Sequence, residues 1–203
     1  MPGRAGLYIV SALVVAGLFL YSAIQGHPPR VVSEWLAPIG PAVTVAVAGL
    51  WVFDRWAWRQ PGIRRLLNRP VLRGTWKCEL RSSYEDRAGE VIESYLVIDQ
   101  TYTQICVRML FDRSQSISMS GDLVEEKGRC VLYYVFRSEK SALEPDSNPP
   151  ARGAADLKVA RKPTLSLEGD YWMERGTKGA LVTVGHSATP FDTFGAARAA
   201  AFD

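Results

Sequence analysis

The sequence predicts a membrane-anchored all-β protein, in which an N-terminal two-helix transmembrane hairpin carries a small eight-stranded antiparallel β-barrel of the lipocalin/calycin type. Two apolar runs predict the hairpin, the first over residues 5–24 without a charge and the second beginning at residue 37. Beyond them, apolar and polar residues alternate and turn residues recur about every 10 to 15 positions, which is typical of short antiparallel strands. The sequence therefore predicts a membrane anchor followed by one β domain.

The division of the chain follows from these changes in composition. We expect the transmembrane hairpin over residues 1–58, a basic juxtamembrane linker over 59–71 and the ligand-sensing barrel over 72–203. About 130 residues are enough for one domain with its own hydrophobic core.

The first apolar run is long enough to cross a bilayer as a helix. About 20 residues at roughly 1.5 Å each cover the roughly 30 Å hydrocarbon core, and a second span is expected over about residues 37–56. Trp51, Trp56 and Trp58 lie near the end of that span, where indole rings favour the membrane interface. A cleaved signal peptide is the alternative for the first run, although it lacks a good small-x-small cleavage site.

Charge indicates the orientation of the hairpin. Six arginines and one aspartate lie in residues 54–73, whereas acidic residues outnumber basic ones from residue 74 onward. Positive charge beside a span marks the cytoplasmic side, so we expect the N-terminus and the barrel in the cytoplasm and the linker against inner-membrane lipids. The acidic balance of the barrel argues against binding to long nucleic acid.

Eight strand candidates follow one another with no long amphipathic helix between them. Closure of such a series into an up-and-down barrel removes free edges and leaves room for side chains or one small ligand. The predicted strands are Leu72–Arg81, Val91–Thr101, Thr103–Phe111, Ser116–Leu123, Arg129–Arg137, Ala154–Ala160, Thr164–Met173 and Ala180–Val184.

Patterns typical of catalysis are weak. The two histidines, His27 and His186, have no partner nearby in the sequence, and there is no Gly-x-Ser-x-Gly motif, phosphate loop or paired carboxylate motif. The three cysteines lack metal-ligand spacing and are odd in number, which predicts reduced thiols. We therefore expect no enzyme, no cofactor and no metal.

Side chains suited to a nucleotide occur on several strands. Aromatic rings can stack on bases, arginines can bind phosphate with a fork of donors, and a row of serines on the fourth strand adds hydroxyl groups. The candidate ligand-binding residues are Trp76, Gln100, Arg108, Ser116, Ser118, Tyr133, Tyr171 and Arg175.

Three alternatives for these residues stay open. Tyrosines and tryptophans in strands are often core residues, and arginines in strands often face water. Trp76 and Arg175 could instead form the Trp–Arg stack that closes one end of lipocalin-like barrels. The direction of Arg108 is ambiguous, because Val107 and Met109 match the inward set of its strand.

The order of short motifs along the chain resembles a known family. The motifs are Leu72-x-Gly74-x-Trp76, Leu96-x-Ile98-x-Gln100, Ser116-x-Ser118, Leu132-Tyr133-Tyr134, Gly153-x-x-x-Leu157 and Leu167-x-Gly169-x-Tyr171-x-x-x-Arg175-x-x-x-Gly179. Together with the two apolar runs, they resemble the two-transmembrane, β-strand-rich effectors of CBASS, the bacterial antiphage systems built around a cyclic-oligonucleotide synthase.

The resemblance implies a function. A partner nucleotidyltransferase would make a cyclic dinucleotide on infection, and the barrel would bind this ligand. The protein would then form a homo-oligomer in the bacterial inner membrane and disrupt that membrane, so that the cell dies before phage mature. Two other functions stay open, a membrane-tethered carrier of a lipid or apolar small molecule and a constitutive scaffold with a filled barrel. A carrier requires an apolar lumen, whereas the serine row and Arg175 predict a polar one.

Overall fold

A computed structural model describes residues 16–17, 39–83, 89–140 and 151–203 of the chain. The first predicted span, residues 5–24, lies outside this description except for its two residues 16 and 17.

The contacts divide the chain into two compact units, residues 1–68 and 69–203. In the first unit, helix α1 is Ile39–Arg55, a single 3-10 turn follows at Ala57–Arg59, and helix α2 is Pro61–Leu67. Helix α1 corresponds to the predicted second span. Within the described ranges no helix combines the length and apolar character needed to cross a bilayer.

Helix α2 has clear boundaries at both ends. Pro61 occupies its first turn, where the fixed φ of proline suits a helix and its missing N–H has no intrahelical partner to lose. Asn68 ends it in the left-handed conformation with φ 50°, and its N–H donates to the carbonyl of Arg64.

The second unit is a closed barrel in which each strand is antiparallel to the next and β8 pairs with β1. The predicted eight-stranded antiparallel barrel is therefore confirmed. The strands are β1 Gly74–Ser82, β2 Val91–Gln100, β3 Ile105–Leu110, β4 Ser114–Glu126, β5 Arg129–Lys140, β6 Arg152–Ala160, β7 Ser166–Met173 and β8 Lys178–Ser187.

The β4–β5 hairpin is longer than the sequence predicts at both of its ends. Lys127 and Gly128 form its turn with φ of 48° and 77°, a pair of positive values that matches the twist of two antiparallel strands. Glu126 and Arg129 pair directly beside this turn, and β5 continues to Lys140 instead of ending at Arg137. The added strand ends are mostly polar, with Ser114 and Glu139 half-buried and Glu126 exposed, so apolar residues do not mark them in the sequence.

The barrel interior is a core of buried side chains to which the first two strands contribute strongly. Trp76, Cys78 and Leu80 on β1 are all buried, as are Leu96 and Ile98 on β2, so these alternate positions point into the barrel. Each fully buried leucine or isoleucine stabilises the fold by about 1.5–3 kcal/mol relative to an exposed one.

A second apolar cluster lies on the outside of the barrel. Tyr95 and Val97 point outward from β2 and are covered by the C-terminal segment, which includes the short helix α3, Phe194–Arg198. Phe194 and Phe202 pack on the Tyr95 ring with centroid distances of 5.3 and 5.5 Å. The C-terminal segment thus buries one outer face of the barrel.

A candidate ligand-binding cavity at the open end of the barrel

One end of the barrel is closed by the residues that lead into β1. Gln100 accepts a hydrogen bond from the Leu72 N–H at 2.7 Å and donates one to the Pro70 carbonyl at 3.1 Å. The indole Nε1 of Trp76 donates to the Leu72 carbonyl at 2.9 Å, and the His186 ring packs on Trp76 with centroids 4.1 Å apart. This end is therefore filled by side chains and by the chain segment that contains Pro70 and Leu72, here called the crossing segment.

The opposite end contains a cavity of about 1160 Å³. It lies where the odd-numbered strands end and the even-numbered strands begin, because antiparallel neighbours bring these ends to one side of the barrel. Leu80, Met109, Leu157 and Leu181 form its apolar part.

Hydroxyl and amide groups line one wall of the cavity. Ser116 on β4 and Ser138 on β5 are direct partners across the β4–β5 ladder, and Ser114 and Gln115 lie beside them. Ser116 is buried, and the Ser138 hydroxyl accepts a hydrogen bond from the Ala151 N–H at 3.0 Å. This wall can donate and accept hydrogen bonds with a polar ligand.

Charged groups lie at the mouth of the cavity. Arg175 is in the β7–β8 turn and makes no hydrogen bond or ion pair with any residue of the described ranges. Arg113 is in the β3–β4 turn, where it is 83% exposed and 3.8 Å from the Asp112 carboxylate. Glu90 adds a second acidic group, so the mouth presents both signs of charge.

Two phenols in the cavity are held in the neutral form. Burial raises the pKa of Tyr171, while a side-chain hydrogen bond with Ser82 acts in the opposite direction. Burial also raises the pKa of Tyr134 well above its usual range. Neither ring therefore adds negative charge that would repel an anionic ligand at neutral pH.

The structure brings three of the eight candidate residues together in this cavity, namely Ser116, Tyr171 and Arg175. Trp76 and Gln100 lie at the closed end, where their polar atoms bond to the segment that crosses the barrel. The alternative Trp–Arg stack is not formed, because Trp76 and Arg175 lie at opposite ends and His186 is the ring packed on Trp76.

The remaining three candidates are not among the residues that line the cavity. Arg108 points outward and its guanidinium is 3.2 Å from the Asp192 carboxylate, which resolves its ambiguous direction. Ser118 lies at the irregular part of the β4–β5 ladder and its Oγ accepts the Val107 N–H at 2.8 Å. Tyr133 donates to an exposed Glu126 carboxylate at 3.2 Å.

Several cavity residues were missed by the sequence analysis. Ser138 lies just beyond the predicted end of β5 at Arg137, although it continues the inward face of Tyr134 and Phe136. Extending that alternation by two residues would have found it. Arg113 could not be found in this way, because it lies in a turn.

Two comparisons with known proteins agree with this architecture. The family model of the Cap15 cyclic dinucleotide receptor domain matches residues 67–184, more than half of the chain and nearly the whole barrel. CD-NTase-associated protein 15 of Staphylococcus schleiferi is 26% identical over 147 residues, which cover 72% of this chain and 78% of that protein. The predicted resemblance to CBASS effectors is confirmed, and the chain belongs to the family of the Cap15 cyclic dinucleotide receptor domain.

Proposed function

We propose that this chain is a CBASS effector that binds a cyclic dinucleotide in the cavity at the open end of its barrel and does not catalyse a reaction on it. The observation that supports this most directly is the composition of the cavity. It combines the guanidinium of Arg175, which has no ion-pair partner within the described ranges, with the hydroxyl groups of Ser116 and Ser138 and the Tyr171 ring. A cyclic dinucleotide has two phosphates and two bases, which require these three kinds of contact.

The size and polarity of the cavity favour this ligand over the two alternatives. A volume of about 1160 Å³ is enough for a dinucleotide and is much larger than the voids of a filled scaffold. A carrier of lipids would be expected to have an apolar lumen, whereas Ser116, Gln115 and Arg175 introduce hydrogen-bonding groups and charge.

The proposed source of the ligand is a partner nucleotidyltransferase that becomes active on infection. The name of the Staphylococcus schleiferi relative, a CD-NTase-associated protein, supports such a partnership. On this proposal the chain is the receptor of the pair, and the synthase carries out the chemistry.

The proposed effector step is assembly at the bacterial inner membrane. The uncharged run over residues 5–24 would anchor the chain, with the barrel in the cytoplasm, and bound ligand would favour a homo-oligomer that disrupts the membrane. The ligand can shift this equilibrium only by its differential affinity for the assembled state. Support for this step comes from the apolar sequence and from membership of the family.

Ligand-dependent stabilisation of the purified full-length chain tests the binding proposal. Thermal unfolding is measured with a panel of cyclic dinucleotides and trinucleotides, with fatty acids and phospholipids in parallel. A ligand at 100 times its dissociation constant should stabilise the fold by about 2.7 kcal/mol, which raises the melting temperature by several degrees. Stabilisation by lipids together with no response to any cyclic nucleotide would support the carrier instead.

Leakage of dye from liposomes that contain the full-length chain tests the effector step. We expect leakage only when the stabilising cyclic dinucleotide is added. Gly17→Arg introduces a charge into the first apolar run and should abolish leakage while leaving the ligand-induced thermal shift intact. Gly17→Ala is the matched control. Leakage that is independent of the ligand would contradict a ligand-gated assembly.

A further inference from the structure

Two aromatic rings of the cavity lie directly over glycines of the neighbouring strand. Phe136 on β5 pairs with Gly153 on β6, and Tyr171 on β7 pairs with Gly179 on β8. A Cβ added to Gly153 would be 2.5 Å from Phe136 Cζ, and a Cβ added to Gly179 would be 2.6 Å from Tyr171 Cε1. Each ring therefore occupies the space that any other residue at the paired position would need.

Backbone conformation does not account for these glycines. Gly74, Gly89, Gly128 and Gly176 have positive φ, but Gly153 and Gly179 are not among the positive-φ glycines. Crowding accounts for them instead, because a Cβ at Gly179 would also lie 2.1 Å from the Arg81 carbonyl. Glycine at these two positions permits close approach of both a ring and a strand.

Each ring is also held by a second neighbour. Ser82 forms a side-chain hydrogen bond with Tyr171, which lies in the β7 strand. The Tyr134 ring lies beside Phe136, with centroids 5.8 Å apart and an angle of 45° between the planes. Phe136 is buried and Tyr171 is half-buried, yet both line the cavity.

We infer that Phe136 and Tyr171 are two preorganised stacking platforms, one for each base of the bound cyclic dinucleotide; this inference rests on the proposed function. One side of each ring lies against the glycine of the neighbouring strand, and both residues line the cavity. A ring whose position is already fixed loses little side-chain entropy when a base stacks on it. The two rings lie on different strand pairs, so each can contact a different base. Gly153 and Gly179 are positioning residues that act through the rings.

Calorimetric titration of full-length variants tests this assignment, using the cyclic dinucleotide that stabilises the parent chain most. Phe136→Leu and Tyr171→Leu remove the flat ring but keep apolar bulk, and each should weaken binding by roughly 10- to 100-fold. Tyr171→Phe keeps the ring and should bind within about threefold of the parent, since it lacks only the hydroxyl. Trp172→Leu is the matched control, because Trp172 is adjacent to Tyr171 but 50% exposed and does not line the cavity.

A measurement on the parent chain keeps the test decisive if a leucine variant does not fold. A cyclic dinucleotide with 2-aminopurine in place of one base is bound, and its fluorescence is recorded. Stacking on an aromatic platform should quench the emission and protect it from acrylamide. A bound ligand that stays bright and accessible would overturn the inference.

The outcomes separate this inference from the proposed function. If folded Phe136→Leu and Tyr171→Leu bind as tightly as the parent, the platforms are refuted while the cavity remains a cyclic dinucleotide site. If the parent chain binds no cyclic dinucleotide, the proposed function fails and the platforms fail with it.

Discussion

Gln100 and Leu72 close one end of the barrel through a hydrogen bond of 2.7 Å from the Leu72 N–H to the Gln100 side-chain oxygen. The same amide donates to the Pro70 carbonyl, so one buried side chain satisfies two backbone groups of the crossing segment. Closure of this end leaves the other end available to a ligand. The ligand site and the structural plug are therefore separate parts of one lumen.

Replacing Gln100 should lower stability and leave binding unchanged. Gln100→Leu leaves the buried Leu72 N–H and Pro70 carbonyl without partners, which should reduce the free energy of unfolding by about 2–4 kcal/mol in urea titrations. Gln104→Leu, at an exposed turn position, is the control and should change it by less than about 0.5 kcal/mol. Equal stability of the two variants would contradict the role of Gln100 as a plug.

Removing the guanidinium of Arg175 should weaken binding and leave stability unchanged. Charge-assisted hydrogen bonds contribute about 1.5–3 kcal/mol, so Arg175→Ala should raise the dissociation constant for the cyclic dinucleotide by roughly 10- to 100-fold. Arg137→Ala is the matched control, because Arg137 is 57% exposed and bonded to Glu139 at 2.7 Å. Titration calorimetry of both variants checks the prediction. A similar loss in both would indicate general attraction of an anion by surface charge.

The backbone at Gly74 makes this glycine indispensable to barrel closure. Its φ is 134°, and an added Cβ would lie 2.3 Å from the Ser187 carbonyl of β8. Gly74→Ala should therefore destabilise the fold by more than about 2 kcal/mol, as measured by thermal unfolding. Gly62→Ala in helix α2 meets no neighbouring atom and should be neutral or stabilising by up to about 1 kcal/mol. A tolerated Gly74→Ala would show that the β1–β8 closure can relax.

Alkaline pH should destabilise the barrel through the buried thiol of Cys78. Burial raises the pKa of Cys78 from 9.0 to about 12, so its contribution to stability is complete below pH 9 and is lost as the pH rises towards 12. Within this window the unfolded chain releases a proton that the folded chain keeps, and stability falls by up to about 1.4 kcal/mol per pH unit. Cys78→Ala should reduce the slope measured in urea titrations at pH 8 to 10. The same slope in both proteins would exclude Cys78 as its source.

The strands were predictable from local sequence, because each strand of the barrel has one face towards the interior and one face towards the outside. Trp76, Cys78 and Leu80 alternate with polar residues on β1, and burial follows that pattern. The outer cluster was not predictable in this way. Tyr95 and Val97 lie on the outward parity of β2 but are buried by Phe194 and Phe202, which come from the C-terminal segment far along the chain.

The candidate site was predicted less completely than the fold, because parity shows which face a residue shares but not which end of the barrel it occupies. Gln100 and Tyr171 both point inward, yet one joins the closed end and the other lines the cavity. Gly153 and Gly179 lie just outside the predicted strands, and only their pairing with Phe136 and Tyr171 in the barrel shows why glycine is needed there. Such pairing depends on strand register, which a single sequence does not specify.

The most direct test of the central claim is an experimental structure of the full-length chain with the stabilising cyclic dinucleotide bound. We expect the ligand inside the open end of the barrel, with a phosphate within hydrogen-bond distance of the Arg175 guanidinium and of the Ser116 or Ser138 hydroxyl. A ligand bound on the outer surface, beside Arg108 or Tyr133, with an empty cavity would contradict the account.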